Sequence, residues 1–320
     1  MSKLKRSAET LTVLLPGATG FIGQHLQQHL LNAGHRVRAL VRAGRSGHPP
    51  VDPRCETVVA SLTDRLAISR AASGVDAVVY CAGSVRGSRY EDFVPANVAG
   101  VQCLTEALCH REPRPPLLLI SSLAASRPEL SDYARSKRAG ERVLEGRPDL
   151  CWCILRPPAV YGPGDVEMRP LLNLVRRGIA VRPGPVGQRL SLIHVSDLAD
   201  AVLAWLSDPA ACRHRTFCID DGHPAGYDWS EIGMAVAGRR VRQVPVPIGL
   251  LRAAGALSGL LSRLLGRAPM LTAGKARELQ QDRWLCDNSP FSALTGWRPK
   301  LGLEAGARTI FAETSGAGSR

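Results

Sequence analysis

The chain has 320 residues, 45% of them apolar and 22% charged, with a formal charge of +13. That length can bury a substantial core as one large or two closely joined domains, and the composition is that of a soluble globular protein. Aromatic residues make up only 5% and arginine is spread along the chain, so nucleic acid is not the expected partner of the excess charge. A phosphorylated cofactor, an anionic substrate, an anionic membrane surface or a generally basic solvated surface remain. The nine cysteines form no repeated CxxC pairs or Cys/His clusters, so buried thiols in a reducing compartment are expected and no metal centre. The opening MSKLKRSAET is basic but has no apolar run before the first strand, which predicts no signal peptide and a cytoplasmic placement.

Thr12 to Leu15 reads as a short buried strand, followed at once by Gly17-Ala-Thr-Gly20-Phe-Ile-Gly23. A helix then begins, with Ile22, Leu26 and Leu30 one turn apart and Gly34 as its stop. Glycines there permit a tight turn and a close approach of backbone to a pyrophosphate at the positive end of the helix. His35 to Val41 predicts a second strand ending at Arg42, with Arg38 and Arg45 near it. Glu56 to Ala60 predicts a third strand and Asp76 to Cys81 a fourth, continued by Ala82 and Gly83. The segment PANVAGVQCLTEAL predicts an amphipathic helix that carries Asn97.

Leu117 to Ile120 is an apolar run that reads as a buried central strand, with Ser122 just past its end. A helix from Asp132 puts Tyr133 and Lys137 on one face, one turn apart. A phenol with a pKa near about 10 is a poor acid or base at neutral pH. An ammonium held close by favours the phenolate and makes the phenol usable in proton transfer. Leu150 to Leu155 predicts a sixth strand, leaving the sheet through RPPAVYGPG at 156–164. A helix is expected from Arg169 to Gly178, a strand from Leu190 to Val195, a capped helix over 196–202 and one more strand from Thr216 to Asp220. The stretch 247–267 carries Leu250, Ala254, Leu257, Leu261 and Leu264 as an apolar helical stripe, interrupted by Arg252 and Arg263 and too broken for a membrane span. It is expected to be a buried helix over the substrate cleft, a lid, or an interfacial helix at a membrane surface.

The glycine loop, Ser122, Tyr133 and Lys137 together resemble the extended short-chain dehydrogenase/reductase superfamily, the branch of NAD-dependent epimerases, dehydratases and 3β-hydroxysteroid dehydrogenase-like enzymes. The resemblance extends from Leu11 to about Phe311 and includes IHVSDL at 193–198 and GWRP at 296–299. It implies a doubly wound α/β Rossmann domain (1–165 with 189–221), a smaller substrate domain (166–188 with 222–311) and a loose tail (312–320). It implies that Ser122, Tyr133 and Lys137, with Asn97 in support, are catalytic. It places the cofactor on Gly17, Thr19, Gly20, Phe21, Ile22, Gly23, Arg42, Leu62, Cys81, Ala82, Gly83, Tyr133, Lys137 and Pro157. Val41 stands where an acid would hold the adenosine ribose and Arg42 follows, so NADP is expected over NAD. His194 is read as structural. Leu123 and Ala124 after Ser122 argue against a 4,6-dehydratase, and Leu190, with Arg189 one position off, weakens a nucleotide-sugar substrate. A reductase or alcohol dehydrogenase for an apolar or mid-sized carbonyl compound is the leading expectation. A nucleotide-sugar epimerase and a non-catalytic NADP-binding subunit remain as alternatives. The expected partners are a small-molecule substrate, a membrane surface met peripherally through 247–267, and a second copy in a homodimer.

Overall fold

The computed structural model describes residues 9–42, 51–247, 249–250, 253 and 272–316. Six strands come first: β1 (Thr12–Pro16), β2 (Arg36–Val41), β3 (Glu56–Val59), β4 (Ala77–Tyr80), β5 (Leu117–Ile120) and β6 (Trp152–Arg156). Four short strands follow, β7 (Ala159–Tyr161), β8 (Ile179–Arg182), β9 (Arg189–Leu190) and β10 (Leu192–His194), before β11 (Arg215–Cys218) returns to the main sheet. That sheet runs β3-β2-β1-β4-β5-β6-β11 and all its pairs are parallel. The order reverses between β1 and β4, which opens a crevice at the strands' C-terminal ends.

Both faces of this sheet are covered, which is why its central strands are continuous apolar runs rather than alternating ones. Val13, Leu15, Val79 and Leu118 pack under α1 (Phe21–Asn32), through Leu26 and Leu30. Leu14, Val78, Leu117 and Ile154 face the other layer, with Ile68 of α2 (Arg65–Ala71) and Leu144 of a later helix. A third cluster is separate from the sheet and contains Tyr161, Leu172, Val175, Leu192, Tyr227, Trp229 and Ile310. Around it β8 pairs with β12 (Arg242–Pro245), and β9 pairs with β13 (Arg283–Trp284).

Three expected elements differ. The helix expected over PANVAGVQCLTEAL follows α3 (Tyr90–Val94) and is proper α-helix only as α4 (Gly100–Cys109); Pro95–Ala99 is a π-helical turn. The buried Tyr80 hydroxyl donates to the Ala96 carbonyl at 2.7 Å and takes that acceptor from the regular ladder. The strand expected from Leu190 to Val195 is broken at Ser191. The Ser191 hydroxyl donates to Asp220 at 2.5 Å, so β9 pairs with β13 while β10 pairs with β7. The loose tail expected from 312 is helical to Gly316, because Ile310 and Phe311 anchor that last helix to the third cluster. Of the 247–267 stripe only 247, 249, 250 and 253 are described; Ala254, Leu257, Leu261 and Leu264 lie outside the described residues, as do Arg45, 1–8 and 317–320. No helix among the described residues is long and apolar enough to cross a membrane.

The helix α5 (Asp132–Glu145) is held to the sheet by a buried ionic cluster. Glu141 is fully buried, accepts from the Ser121 hydroxyl at 2.6 Å, and is gripped by Arg156 at 2.8 and 2.5 Å, with Arg138 at 3.2 Å. Removing one partner of such a cluster strands the other charges. Glu141→Ala is therefore expected to lower unfolding free energy by about 3–5 kcal/mol. Urea denaturation would measure it, and a loss under about 1 kcal/mol, the range of a solvent-exposed pair, would contradict the account.

Candidate active site

The loop between β1 and α1 is built by glycines that do different jobs. Gly17 has φ +91° and a side chain there would enter the backbone of Cys81 and Ala82; one at Gly23 would enter the carbonyls of Gly17 and Ala18. Gly20 is exposed, and a Cβ there would meet only the Gly17 carbonyl, at 3.4 Å. Gly20 also caps α1 without a side-chain hydrogen bond, and the first turn holds no acidic residue. The helix therefore begins with amides and a positive dipole end that no side chain answers. Half-buried Thr19, Phe21 and Ile22 flank this point, Phe21 edge-on to His25 with ring centres 5.6 Å apart.

Arg42, at the end of β2, is exposed and has no ion pair or side-chain hydrogen bond among the described residues. Arg38 is committed elsewhere, to Glu56 at 2.8 Å and to the carbonyls of Ala71 and Ser73 that end α2. Leu62 lies past β3, against Gly100 and the second core.

At the end of β4 the chain passes from Cys81 through Ala82 to Gly83. A Cβ on Gly83 would sit 3.2 Å from the Lys137 ammonium and 3.3 Å from Asn97 Oδ1, so a side chain there would crowd both groups. Burial pushes the Cys81 thiol up to about 12, against the opposing charge of Lys137. Buried Asn97 accepts from the Ser84 amide at 3.0 Å and donates to the Ser84 carbonyl at 3.2 Å and to Ser136 Oγ at 2.9 Å. The π turn thus fastens the post-β4 loop to α5. Lys137 is itself buried and donates to the Ile120 carbonyl at 3.2 Å, at the end of β5.

Ser122 accepts from the Ala124 amide at 3.2 Å, leaving its own proton free for another acceptor. The next amide, Leu123, donates to the Pro157 carbonyl at 2.8 Å, which joins the exits of β5 and β6. Tyr133 packs edge-on to Phe93 at 5.9 Å, and its hydroxyl has no hydrogen bond within the protein among the described residues. Contacts therefore run without a break from Gly17 through Cys81 and Ala82, Gly83, Asn97 and Lys137 to Ile120. Thr19, Arg42 and Leu62 lie outside that chain of contacts, at the ends of β1, β2 and β3.

The opposite side contains residues that no local motif announces. The helix α9 (Ala273–Leu279) follows α8 (Trp229–Ala237) in the described chain and packs on 127–133. Its Lys275 lies 5.8 Å from the Tyr133 ring centre and pairs with Glu278 at 2.9 Å; Glu278 also receives the Ser131 hydroxyl. Arg86 and Glu167 form an ion pair at 2.7 Å between the post-β4 loop and the chain leading into α6 (Arg169–Arg176). Arg189 is turned away: it pairs with Glu231 at 2.5 Å and donates to the Gly226 carbonyl at 3.3 Å. Buried His194 accepts from the Ser196 amide at 3.2 Å to cap α7 (Val195–Ser207), and bonds Thr309 at 3.1 Å through Nε2. Burial lowers it to about 4, so it is neutral at physiological pH.

A glycine loop at the head of a doubly wound parallel sheet, with a tyrosine and a lysine one turn apart at the crevice, defines a dinucleotide-binding α/β enzyme. Residues 13–219 match the NAD dependent epimerase/dehydratase family, and the chain belongs to that family. It is an NAD(P)-dependent enzyme. Ceramide reductase of Caulobacter vibrioides is 35% identical over 299 residues, covering 91% of this chain and 90% of that protein. The 2-alkyl-3-oxoalkanoate reductase of Stenotrophomonas maltophilia is 27% identical over 340 residues, covering 95% and 100%. The fold is also that of UDP-glucuronic acid 4-epimerase from Bacillus cereus, solved with UDP-glucuronic acid and NAD, at TM-score 0.71 and 19% identity, covering 96% of this chain and 100% of that one.

The glycine geometry separates folding from binding. Gly23→Val is expected to yield unfolded or aggregated protein, since backbone carbonyls fill the space its side chain needs. Gly20→Val is expected to melt within a few degrees of the wild type yet lose dinucleotide binding, read by calorimetric titration. Normal titration by Gly20→Val would remove the loop from the site.

Proposed function

We propose that this enzyme is an NADPH-dependent reductase of a carbonyl group on an apolar or mid-sized small molecule, with Tyr133 as general acid and as base in the reverse direction. The observation that carries the reading is Tyr133, whose hydroxyl has no hydrogen bond among the described residues, standing one turn before Lys137, whose ammonium donates to the Ile120 carbonyl and lies beside Gly83. Reduction is favoured over the nucleotide-sugar reactions by two further observations. Arg189 is tied to Glu231 and Gly226 rather than free to meet a diphosphate. Leu123 and Ala124, both buried, stand where an additional acid and base would be needed for elimination. Among relatives matched over nine-tenths or more of their length, those at 35% and 27% identity are reductases by name, and one at 25% is a UDP-glucose 4-epimerase by name.

The residues at the head of α1 and the end of β2 fit a phosphorylated dinucleotide: unanswered amides, a glycine open to approach, and the exposed Arg42 guanidinium for a 2′-phosphate. Bound there, the cofactor supplies or accepts the hydride. Ser122 would donate its free proton to the substrate oxygen and orient it. Tyr133 would give its proton to that oxygen as the carbonyl becomes an alcohol. Lys137 would stabilise the negative charge left on the phenol and hold the nicotinamide ribose. Asn97 would keep the Ser84 loop and α5 in register. Residues 166–188 and 222–311, which enclose much of the third cluster, would form the substrate side over this edge, and 247–267 would meet an apolar chain or a membrane surface.

Arg42→Ala should weaken NADPH roughly ten- to a hundredfold, the scale of a hydrogen bond to a charged group, and leave NADH within about threefold. Equal losses for both would remove the 2′-phosphate contact. Tyr133→Phe should keep NADPH affinity while turnover of a carbonyl substrate falls roughly a hundredfold or more, as expected for a positioned proton donor. An active wild type whose phenylalanine variant turns over equally fast would overturn the catalytic assignment.

A further inference from the structure

The segment before α5 is clamped by α9, which stands some 140 residues later in the chain. Arg277 donates to the Leu130 carbonyl at 2.8 Å, and Arg127 donates to Gln281 Oε1 at 2.5 Å while its guanidinium lies over Trp284 at 5.3 Å. Gly274 is pressed so close to Ser131 that a Cβ would stand 2.7 Å from the serine Cβ. Ser131 caps α5 through the Ala134 amide and also donates to buried Glu278. This docking carries Lys275 to the Tyr133 ring, 5.8 Å from its centre.

An ammonium has three protons to donate. Glu278 takes one at 2.9 Å, and the Lys275 side chain has no other hydrogen bond among the described residues. The Glu278 side chain is 5% exposed, whereas that of Lys275 is 33% exposed. Burial alone would lower the lysine, but Glu278, Tyr133 and Glu167 hold it above its ordinary value, so it stays charged at neutral pH. Glu278 already answers much of this cation's charge, which suits it less to a diphosphate or other dianion. A single accepting oxygen suits it.

We infer that Lys275 is a specificity-determining residue, which binds an acyl oxygen of the substrate, carboxylate or amide, carried beside the carbonyl that Tyr133 protonates. The inference rests on the reductase reading of Tyr133, and it narrows the substrate class to 3-oxoacyl compounds and their 3-hydroxy products. An ammonium 5.8 Å from the ring centre is within reach of a second oxygen carried close to the one that meets the phenol. A charge-assisted hydrogen bond in that partly dehydrated cleft gives the lysine leverage on binding.

Calorimetric binding to the full chain loaded with NADP⁺ tests this without turnover. The probes are 3-hydroxydecanoate, its N-methyl amide, and nonan-2-ol, which has the same alkyl chain without the acyl carbon. Wild type is expected to bind both acyl compounds more tightly than the plain alcohol. Lys275→Met should weaken the acyl compounds roughly tenfold or more, the carboxylate more than the amide, and leave nonan-2-ol unchanged. Lys275→Arg keeps a partner for Glu278 and should retain most of the preference, which guards against a methionine variant that fails to fold. Loss of all three ligands together in a folded variant, no loss of any, or a wild type that does not distinguish acyl compound from plain alcohol would each overturn the assignment. If selective binding depends on Lys275 but none of the three is oxidised, the reductase reading falls and the acyl contact stands.

Discussion

Placing a carboxylate where water cannot reach it costs several kcal/mol unless protein donors replace the lost hydration. Glu141 is in that position, and its donors come from three different elements: Ser121 at the exit of β5, Arg156 at the end of β6, and Arg138 one turn earlier on α5. Satisfying the charge sets the distance and rotation of α5 relative to two strand ends. Lys137 lies one turn before Glu141 on that helix, Ser122 follows Ser121, and Pro157 follows Arg156. The Lys137 bond to Ile120 and the Leu123 bond to Pro157 are short-range consequences of the same registration. The cluster thereby sets where α5, and with it Tyr133 and Lys137, stands against the sheet.

The parts readable in the sequence are those whose geometry is local. A strand, a glycine turn and a helix start are consecutive residues, and Tyr133 and Lys137 share a face because of helical pitch alone. The continuous runs of β4 and β5 announce a sheet covered on both sides. What stayed hidden depends on distant partners. Asn97 sits in a π turn because Tyr80 takes the Ala96 carbonyl and α5 presses on the turn at Gly140, where a side chain would strike the Asn97 carbonyl. The single strand expected at Leu190 to Val195 gives way to two because Asp220 binds Ser191. Lys275 and Glu278 have no motif at all; only the docking of α9 on Ser131 brings them to the crevice.

The formal charge of +13 also looks different in three dimensions. Many of the arginines are spent inside the fold. Arg38 ends α2 by binding its last carbonyls, Arg111 donates to the Ser69 carbonyl, Arg156 serves Glu141, and Arg189 serves the start of α8. Each acts as a fork for several acceptors, which a lysine could not reproduce. Arg42 has no such employment among the described residues, which leaves its guanidinium open at the end of β2.

The fold is shared with epimerases at 19% identity and with reductases at 27% and 35%, so the sheet alone does not choose a reaction. The choice must lie in what surrounds the tyrosine. On the sheet side, Ser122, Lys137 and Asn97 would, in the proposed mechanism, arrange proton transfer to an oxygen without regard to the molecule that carries it. On the far side, two cations are set differently: Arg189 is withdrawn into the α8 cap and Lys275 is presented beside the phenol. Withdrawing a guanidinium removes a fork suited to diphosphate, whereas an ammonium already paired with one carboxylate is a point donor rather than a fork. Under the proposed reductase reading, that arrangement would favour a lightly polar substrate over a heavily charged one. The Tyr133 helix and α9 are thus joined at Ser131, which caps the one and donates to Glu278 of the other.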